Sequence, residues 1–375
     1  MKKKAGYCPV FEFIKKNIVA VIAFTAAAVT VFLVPPDREY LGYFDFKTLA
    51  CLFSVLAVVS ALKNVRFFYW LSYKVIQLTR NMRISALAIV YITFLGSMLI
   101  ANDMALITFL PLGFMVLSVT RKEKYMARLF ILQNIAANLG GMLTPFGNPQ
   151  NLYLYSKFNI PDGEFLGIMA PSFLLSIVLF SVACLVFFKA EPMELPRESF
   201  KLPPVRTGFY LVLFAVSIVM VFRILPFYIG LGIVFVALII TDREALKRVD
   251  YPLLLTFVFF FIFAGNMGRL EPVRAFFGGL LSKSTLLVST LSCQFISNVP
   301  SAILLSQFTD NYPALLIGVN IGGTGTLIAS LASLITFREY TRLNRGKGGR
   351  YLLLFSAFNF TFLAILIVFN LLIRG

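Results

Sequence analysis

Long apolar runs alternate with short basic segments along this chain. Residues 18–34, 46–62, 165–188 and 351–373 are nearly free of charge. Each is long enough for a helix across a hydrocarbon core of about 30 Å. Shorter helices are predicted at about 209–224, 227–240 and 251–264. Two stretches do not fit single crossings. Between Arg83 and Arg121 lie 37 residues with Asp103 as the single charge, and residues 284–309 form a run of 26 with none. Two full crossings take about 40 residues, so the second run is too short for two crossings and the first allows only two thin ones.

The distribution of basic residues separates the alternatives, because Lys and Arg in short loops stay cytoplasmic. With the N-terminus cytoplasmic and the C-terminus outside, the inside segments are 1–17, 63–83, 121–128, 189–208, 241–250 and 338–350, and they hold 26 of the 34 Lys and Arg. Reading 284–309 as one crossing moves the cluster Arg338 to Arg350 outside and leaves 22 against 12. A hairpin that enters and leaves on one face is therefore expected. Its arms of about a dozen residues reach only part of the way through a bilayer, which buries the tip Ser297-Asn298-Val299-Pro300. Non-helical backbone at that depth is tolerated only against protein or a watery cavity. For 84–119 a second reading stays open, two thin crossings with Asn102-Asp103 in an external turn.

The order of elements runs twice. Two helices, a basic aromatic or amphipathic segment, an Asn-containing hairpin, a glycine-broken helix and a final helix occur in each half. Asn138-Leu139-Gly140-Gly141 echoes Asn320-Ile321-Gly322-Gly323, each after a hairpin tip. The extra helix near 209–224 makes the halves enter from opposite faces. The expected fold is an all-α polytopic membrane protein, an inverted-topology repeat with two re-entrant hairpins and two broken transmembrane helices. Its parts are a first repeat 1–188 (hairpin 84–119, broken helix 126–156), a cytoplasmic linker 189–208, and the extra helix plus second repeat 209–375 (hairpin 284–309, broken helix 313–336).

Composition agrees and removes other classes. The chain is 59% hydrophobic with mean hydropathy +0.86, which a soluble domain does not reach. It is expected in a bacterial-type plasma membrane, with the lipid bilayer as its surroundings. The first apolar run follows "MKKK" but lacks a small-residue cleavage site, so it reads as a retained helix. A net charge of +17 would suit nucleic acid if it formed a stripe, but it is scattered over short loops, so no nucleic-acid partner is expected. Cys8, Cys51, Cys184 and Cys293 are isolated and histidine is absent, which disfavours zinc or haem. An embedded enzyme needs a nucleophile and a base, and neither His nor a second buried acid is present. A passive channel stays open.

The candidate chemistry lies at the tips and breaks. A carboxylate inside a bilayer is costly unless something compensates, so Asp103 reads as a cation ligand, as a proton carrier, or as the N-cap of a helix starting at Met104. Ser97, Asn102, Ser297 and Asn298 offer neutral oxygens of the kind hard cations take. "NLGGMLTPFGNPQN" cannot remain one helix, because its glycines and prolines break it and leave carbonyls and half-helix N-termini free. The glycine pairs can equally be packing surfaces between helices. Thr144, Asn148 and Asn151 in the first break, and Thr326 and Ser330 in the second, join the candidate substrate and ion ligands. Neither tip nor break holds a Lys or Arg. An anion there would be held by hydroxyls, amides and helix N-termini, with Na⁺ or H⁺ offsetting Asp103; no other cofactor is expected.

"ANDMALITFLPLGF", "ANLGGMLTPFGNPQNLYLY", "ISNVPSAILL" and "GVNIGGTGTLIASLASLI" together resemble the ion transporter superfamily. It comprises arsenite permeases, NhaD-type sodium/proton antiporters, citrate transporters and divalent anion/sodium symporters. The resemblance covers nearly the whole chain in order. It implies an elevator-like motion with 63–83 and 269–283 as arms, and a homodimer through scaffold helices. Symporter relatives carry Ser-Asn-Thr at each tip, which implies sodium at Ser97, Asn102 and Gly147, with Asp103 adding charge, and at Ser297, Asn298 and Ala329. Ala101-Asn102-Asp103 and Ser297-Asn298-Val299 lack the threonine, and Cys293 stands where a helical hydroxyl ligand would be. That departure counts against a dicarboxylate substrate, and "AND" is similar to the arsenite and antiporter branches. The expected function is secondary active transport of a small anion or weak oxyacid, an organic acid or arsenite-like species, coupled to Na⁺ or H⁺. A Na⁺/H⁺ antiporter of the same fold is the alternative.

Overall fold

The structure, a computed structural model, describes residues 17–193 and 201–374. The N-terminal lysines, Cys8, linker residues 194–200 and Gly375 lie outside the described residues. Apart from one isolated bridge between Asn81 and Pro192, every regular element among them is helical. Seven of these helices are long and apolar enough to cross a membrane. The protein is an integral, multi-pass, all-α membrane protein.

The first half begins with α1 (Ile18–Leu33), α2 (Phe46–Asn64) and the short aromatic α3 (Phe67–Ile76). A hairpin of α4 (Met82–Ser97) and α5 (Asn102–Val119) follows, then α6 (Met126–Gly140), the break, α7 (Pro149–Lys157) and α8 (Asp162–Phe187). The extra helix is α9 (Pro204–Val221). The second half runs α10 (Phe227–Thr241), the small α11 (Arg243–Lys247), α12 (Tyr251–Arg269) and α13 (Glu271–Ile296), then α14 (Asn298–Leu305), α15 (Tyr312–Ile321), a break, α16 (Leu331–Leu343) and α17 (Gly348–Arg374). The amphipathic arm and the first limb of the second hairpin are one helix, α13, interrupted at Ser284, where the backbone turns extended (φ −165°, ψ 99°).

Side chains fix several helix starts. Asp45, Asn81 and Asp250 accept from the backbone N–H of Thr48 (2.9 Å), Ile84 (3.0 Å) and Leu253 (3.0 Å), the usual work of an N-cap. Packing between halves is reciprocal. α1 lies on α12 as α2 lies on α10, and α16 contacts α5 and α6 as α7 contacts α14 and α15. A buried polar pair, Asn266 Nδ2 donating to Thr30 Oγ1 at 3.2 Å, sits in the α1–α12 contact. Cys51 and Cys184 are buried in apolar packing.

α8, about 39 Å long at helical rise, serves as a ruler. At its C-terminal end Arg83 Nε donates to the Phe188 carbonyl (2.8 Å) and Arg128 Nη1 to that of Phe187 (3.3 Å). Both ends of the first hairpin meet there, since Met82 N–H donates to the Glu191 carbonyl (2.9 Å) and Lys122 pairs with the Glu191 carboxylate (2.5 Å). At the N-terminal end of α8, Glu164 accepts from Tyr312 Oη at 2.5 Å, and Phe158 packs on Tyr312. The second hairpin closes on this side, with Phe277 stacked on Phe308 at 5.1 Å.

Candidate functional site

Each hairpin ends on an asparagine that is buried rather than in an external turn. Asn102 is 4% exposed and Asn298 is 4% exposed. Both fold their side chains back in the same way. Asn102 Oδ1 accepts from Asp103 N–H (3.0 Å), and Asn298 Oδ1 accepts from Val299 N–H (2.9 Å). The tips differ in backbone. Ser297 has φ 74° and ψ 160°, a region that costs a non-glycine residue roughly 1–3 kcal/mol unless its surroundings impose it. Ala101, at the same place in the first tip, stays at φ −43°.

Facing the tips are two breaks. α6 tightens into a short 3-10 turn at Gly141–Leu143 and resumes as α7 behind Asn148; α15 stops at Ile321 and α16 resumes behind Ser330. Asn148 and Ser330 share extended backbone (φ −134°, ψ 142° and φ −148°, ψ 142°), so the two half-helices start alike. A threonine joins each break to its hairpin: Thr144 Oγ1 donates to the Met98 carbonyl (2.7 Å) and Thr326 Oγ1 to the Gln294 carbonyl (2.9 Å). The glycine pairs are packing surfaces. A Cβ on Gly140 would sit on the Phe94 carbonyl oxygen and Ser97 Oγ, and one on Gly322 would lie 2.9 Å from Cys293 Sγ. Ser97 and Cys293 thus occupy matching places beside the breaks, with Ser97 Oγ donating to the Phe94 carbonyl (2.9 Å) and Cys293 Sγ to that of Ser289 (3.1 Å).

A chain of buried amides ties the halves together. Asn102 Nδ2 donates to Asn138 Oδ1 (2.9 Å) and Ser330 Oγ (3.3 Å). Asn148 Nδ2 donates to the Asn138 carbonyl (3.3 Å) and Asn320 Oδ1 (3.2 Å), and Asn320 Nδ2 donates to Asn151 Oδ1 (2.6 Å). Gln150 Nε2 also reaches Asn320 Oδ1 (3.4 Å), and Asn134 Nδ2 reaches Ser333 Oγ (3.2 Å). Every one of these residues is at most 4% exposed. Buried polar networks of this kind are costly when incomplete, and this one is incomplete. Asp103 Oδ1, Asn148 Oδ1 and Gln150 Oε1 are buried with no hydrogen-bond partner among the described residues. Acceptor oxygens lacking donors are the groups a desolvated cation takes.

The candidate ligands are brought together unevenly. Ser297, Asn298 and Ala329 converge: the Ala329 carbonyl accepts from Asn298 N–H (3.0 Å) and Ser297 Oγ (3.3 Å), and Ser297 Oγ lies 3.3 Å from Asn298 Oδ1. Ser97, Asn102 and Gly147 do not touch directly; Ser97 approaches Gly140, Asn102 reaches Asn138, and Gly147 packs on Gly141 and Thr144. Asn151 holds the first break, donating to the carbonyls of Gly141, Met142 and Thr144 at 3.0, 3.2 and 3.2 Å. Asp103 is not an N-cap. The helix starts at Asn102, two residues earlier than expected, behind Ala101, and Asp103 lies in its first turn with its carboxylate toward the backbone N–H of Ala332 at the start of α16. Access is lopsided, since Ile328 in the second break is 56% exposed whereas its counterpart Phe146 is 8% exposed and packs edge-on to Phe222.

Sequence reasoning passed over Gln294, whose side chain spans from hairpin to break, and Gln150 and Asn134, which extend the network. In the linker, Glu191 binds Lys122, Lys124 and Tyr125. The available signal for Gln294 was an amide in an arm whose other polar residues are hydroxyls.

A family model described as "Citrate transporter" matches residues 9–315. An uncharacterized transporter of Methanocaldococcus jannaschii is 32% identical over 314 residues, 83% of this chain and 85% of that protein. An inner membrane protein of Escherichia coli is 28% identical over 323 residues, covering 82% and 83%. The human P protein is 24% identical over 202 residues, 50% of this chain and 24% of its own length.

Proposed function

This chain belongs to the citrate transporter family, within the ion transporter superfamily, and from that premise we propose that it carries a small anion or weak oxyacid across the membrane coupled to Na⁺ or H⁺. The observation that carries this reading is the meeting of both hairpin tips with the helix breaks: Asn102 reaches Asn138 and Ser330, Asn298 and Ser297 reach the Ala329 carbonyl, and Asn148 joins the two breaks through Asn320. Half-helix starts behind Asn148 and Ser330 supply N–H groups and positive dipole ends for an anion. Oxygens at Asp103, Asn148, Ser297, Asn298 and Ala329 supply the other half, a place for a cation or proton that offsets the carboxylate. The substrate is an organic acid such as citrate or an arsenite-like oxyacid; the missing tip threonines favour the latter.

The two halves act as an inverted repeat, with one hairpin closing at each end of α8. The basic end, where Lys122, Lys124, Arg83 and Arg128 gather, is the cytoplasmic one. The exposed Ile328 in one break and the covered Phe146 at the matching place in the other fit a site accessible from one side at a time.

Purified protein in proteoliposomes tests the reading. Uphill accumulation of citrate, succinate, phosphate or arsenite driven by a Na⁺ or H⁺ gradient is expected for at least one solute; strictly downhill flux would make the protein a channel. The second reading, Na⁺/H⁺ antiport, is favoured by the partnerless Asp103 Oδ1. Sodium-dependent proton movement without any other solute would select it.

A further inference from the structure

The two halves hold their breaks in different ways, and the difference turns on Gln294. In the second half its amide spans from hairpin to break. Gln294 Nε2 donates to the carbonyls of Gly322 (2.9 Å) and Thr324 (3.2 Å), and its Oε1 accepts from Thr326 N–H (2.9 Å). Its own carbonyl accepts from Thr326 Oγ1 (2.9 Å). Farther along the break, the Ala329 carbonyl is held by Asn298 N–H and Ser297 Oγ. In the first half the break is held by Asn151, a residue of the same broken helix, which donates to the carbonyls of Gly141, Met142 and Thr144. Met98 stands where Gln294 would be, and it contributes its backbone carbonyl, to Thr144 Oγ1.

Two further details fit a lock in the second half. Gly325 has φ +125°, and the place of its missing Cβ is filled by Gln294 Oε1, so the amide fits only beside a glycine. Ser297 has positive φ, a conformation that persists where neighbours over-determine it; the bonds to Ala329 do so. Resting on the transport reading above, we propose that Gln294 is a positioning residue that keeps the second half-site assembled before anything binds. The first half-site, which carries Asp103 and lacks this cross-link, is then the one that adjusts to what enters.

Hydrogen–deuterium exchange of the full chain in lipid nanodiscs tests this without any substrate. Gln294→Met keeps the bulk and removes the amide. It is expected to raise exchange roughly tenfold in peptides covering 294–298 and 322–330, with those covering 95–102 and 141–148 unchanged. Thr326→Val, a milder change should the first variant fold poorly, is expected to give a rise of about threefold in the same peptides. An unchanged profile in both variants overturns the proposal, as does a rise spread evenly along α13 and α14, which a packing role alone would give. Absence of solute flux beside an intact exchange response counts against the transport reading and leaves the role of Gln294 standing.

Discussion

In the proposed transport cycle, coupling would turn on Asp103. Its Oδ1 is buried and partnerless, while its carboxylate faces the N–H of Ala332 on the other half. Asp103→Asn keeps the shape and removes the charge, so transport or ion exchange is expected to fall by at least about tenfold while expression and the gel-filtration profile hold, because ionisable groups in membrane interiors serve function more than folding. Wild-type flux in that variant would reduce Asp103 to a structural part of the first turn. A lone carboxylate in a long uncharged run stands out in sequence, which is why this residue was legible. Gln294 was not, because an uncharged amide in an arm already holding several Ser and Thr residues acquires meaning only once the break it spans is placed beside it.

At the scale of elements, the breaks need glycine where helices touch backbone. Gly140→Ala would drive a methyl into the Phe94 carbonyl and Ser97 Oγ, so the hairpin must move. Such overpacking costs typically 1–3 kcal/mol, about, and a matching fall in thermal midpoint together with lost flux is expected. Gly163, near the start of α8, has nothing within 4 Å of its added Cβ. Gly163→Ala is therefore expected to be neutral or to stabilise by about 0.5–1 kcal/mol through helix propensity. Equal losses in the two variants, read by thermal melts in one detergent, would refute the close-approach account. The repeated Asn-x-Gly-Gly made both breaks legible. That the first glycine of each pair packs against a hairpin, at Ser97 or Cys293, was settled by geometry.

Across the whole molecule, the linker's first residues strap the basic end. Glu191 receives Lys122, Lys124 and Tyr125, and its carbonyl accepts from Met82 N–H at the start of α4. The lysine hydrogen bonds pull its carboxyl from the ordinary 4.5 down to about 2. A depressed carboxyl contributes stability that is complete above the unfolded value and is lost as pH falls through the folded one. The strap should therefore hold at neutral pH and weaken between 4.5 and about 2. Glu191→Gln is expected to lower the thermal midpoint at neutral pH and to converge with wild type in acid; parallel curves for the two proteins across that window would sink the assignment. The linker's charge gave no hint of this, since an ion pair between loops needs the loops to be brought to one end.

What the sequence determined by itself was what local physics decides: apolar lengths set which helices can cross a membrane, and glycine and proline set where helices stop. These follow from bilayer thickness and from backbone hydrogen bonding, which act residue by residue. Only the tertiary structure decided which oxygens meet. Asn102 reaches Asn138 and Ser330, Asn320 reaches Asn148 and Asn151, and Gln294 reaches Gly322 and Thr324. Hydrogen bonds depend on tenths of an ångström between groups far apart in the chain, and no spacing along one strand of sequence carries that information.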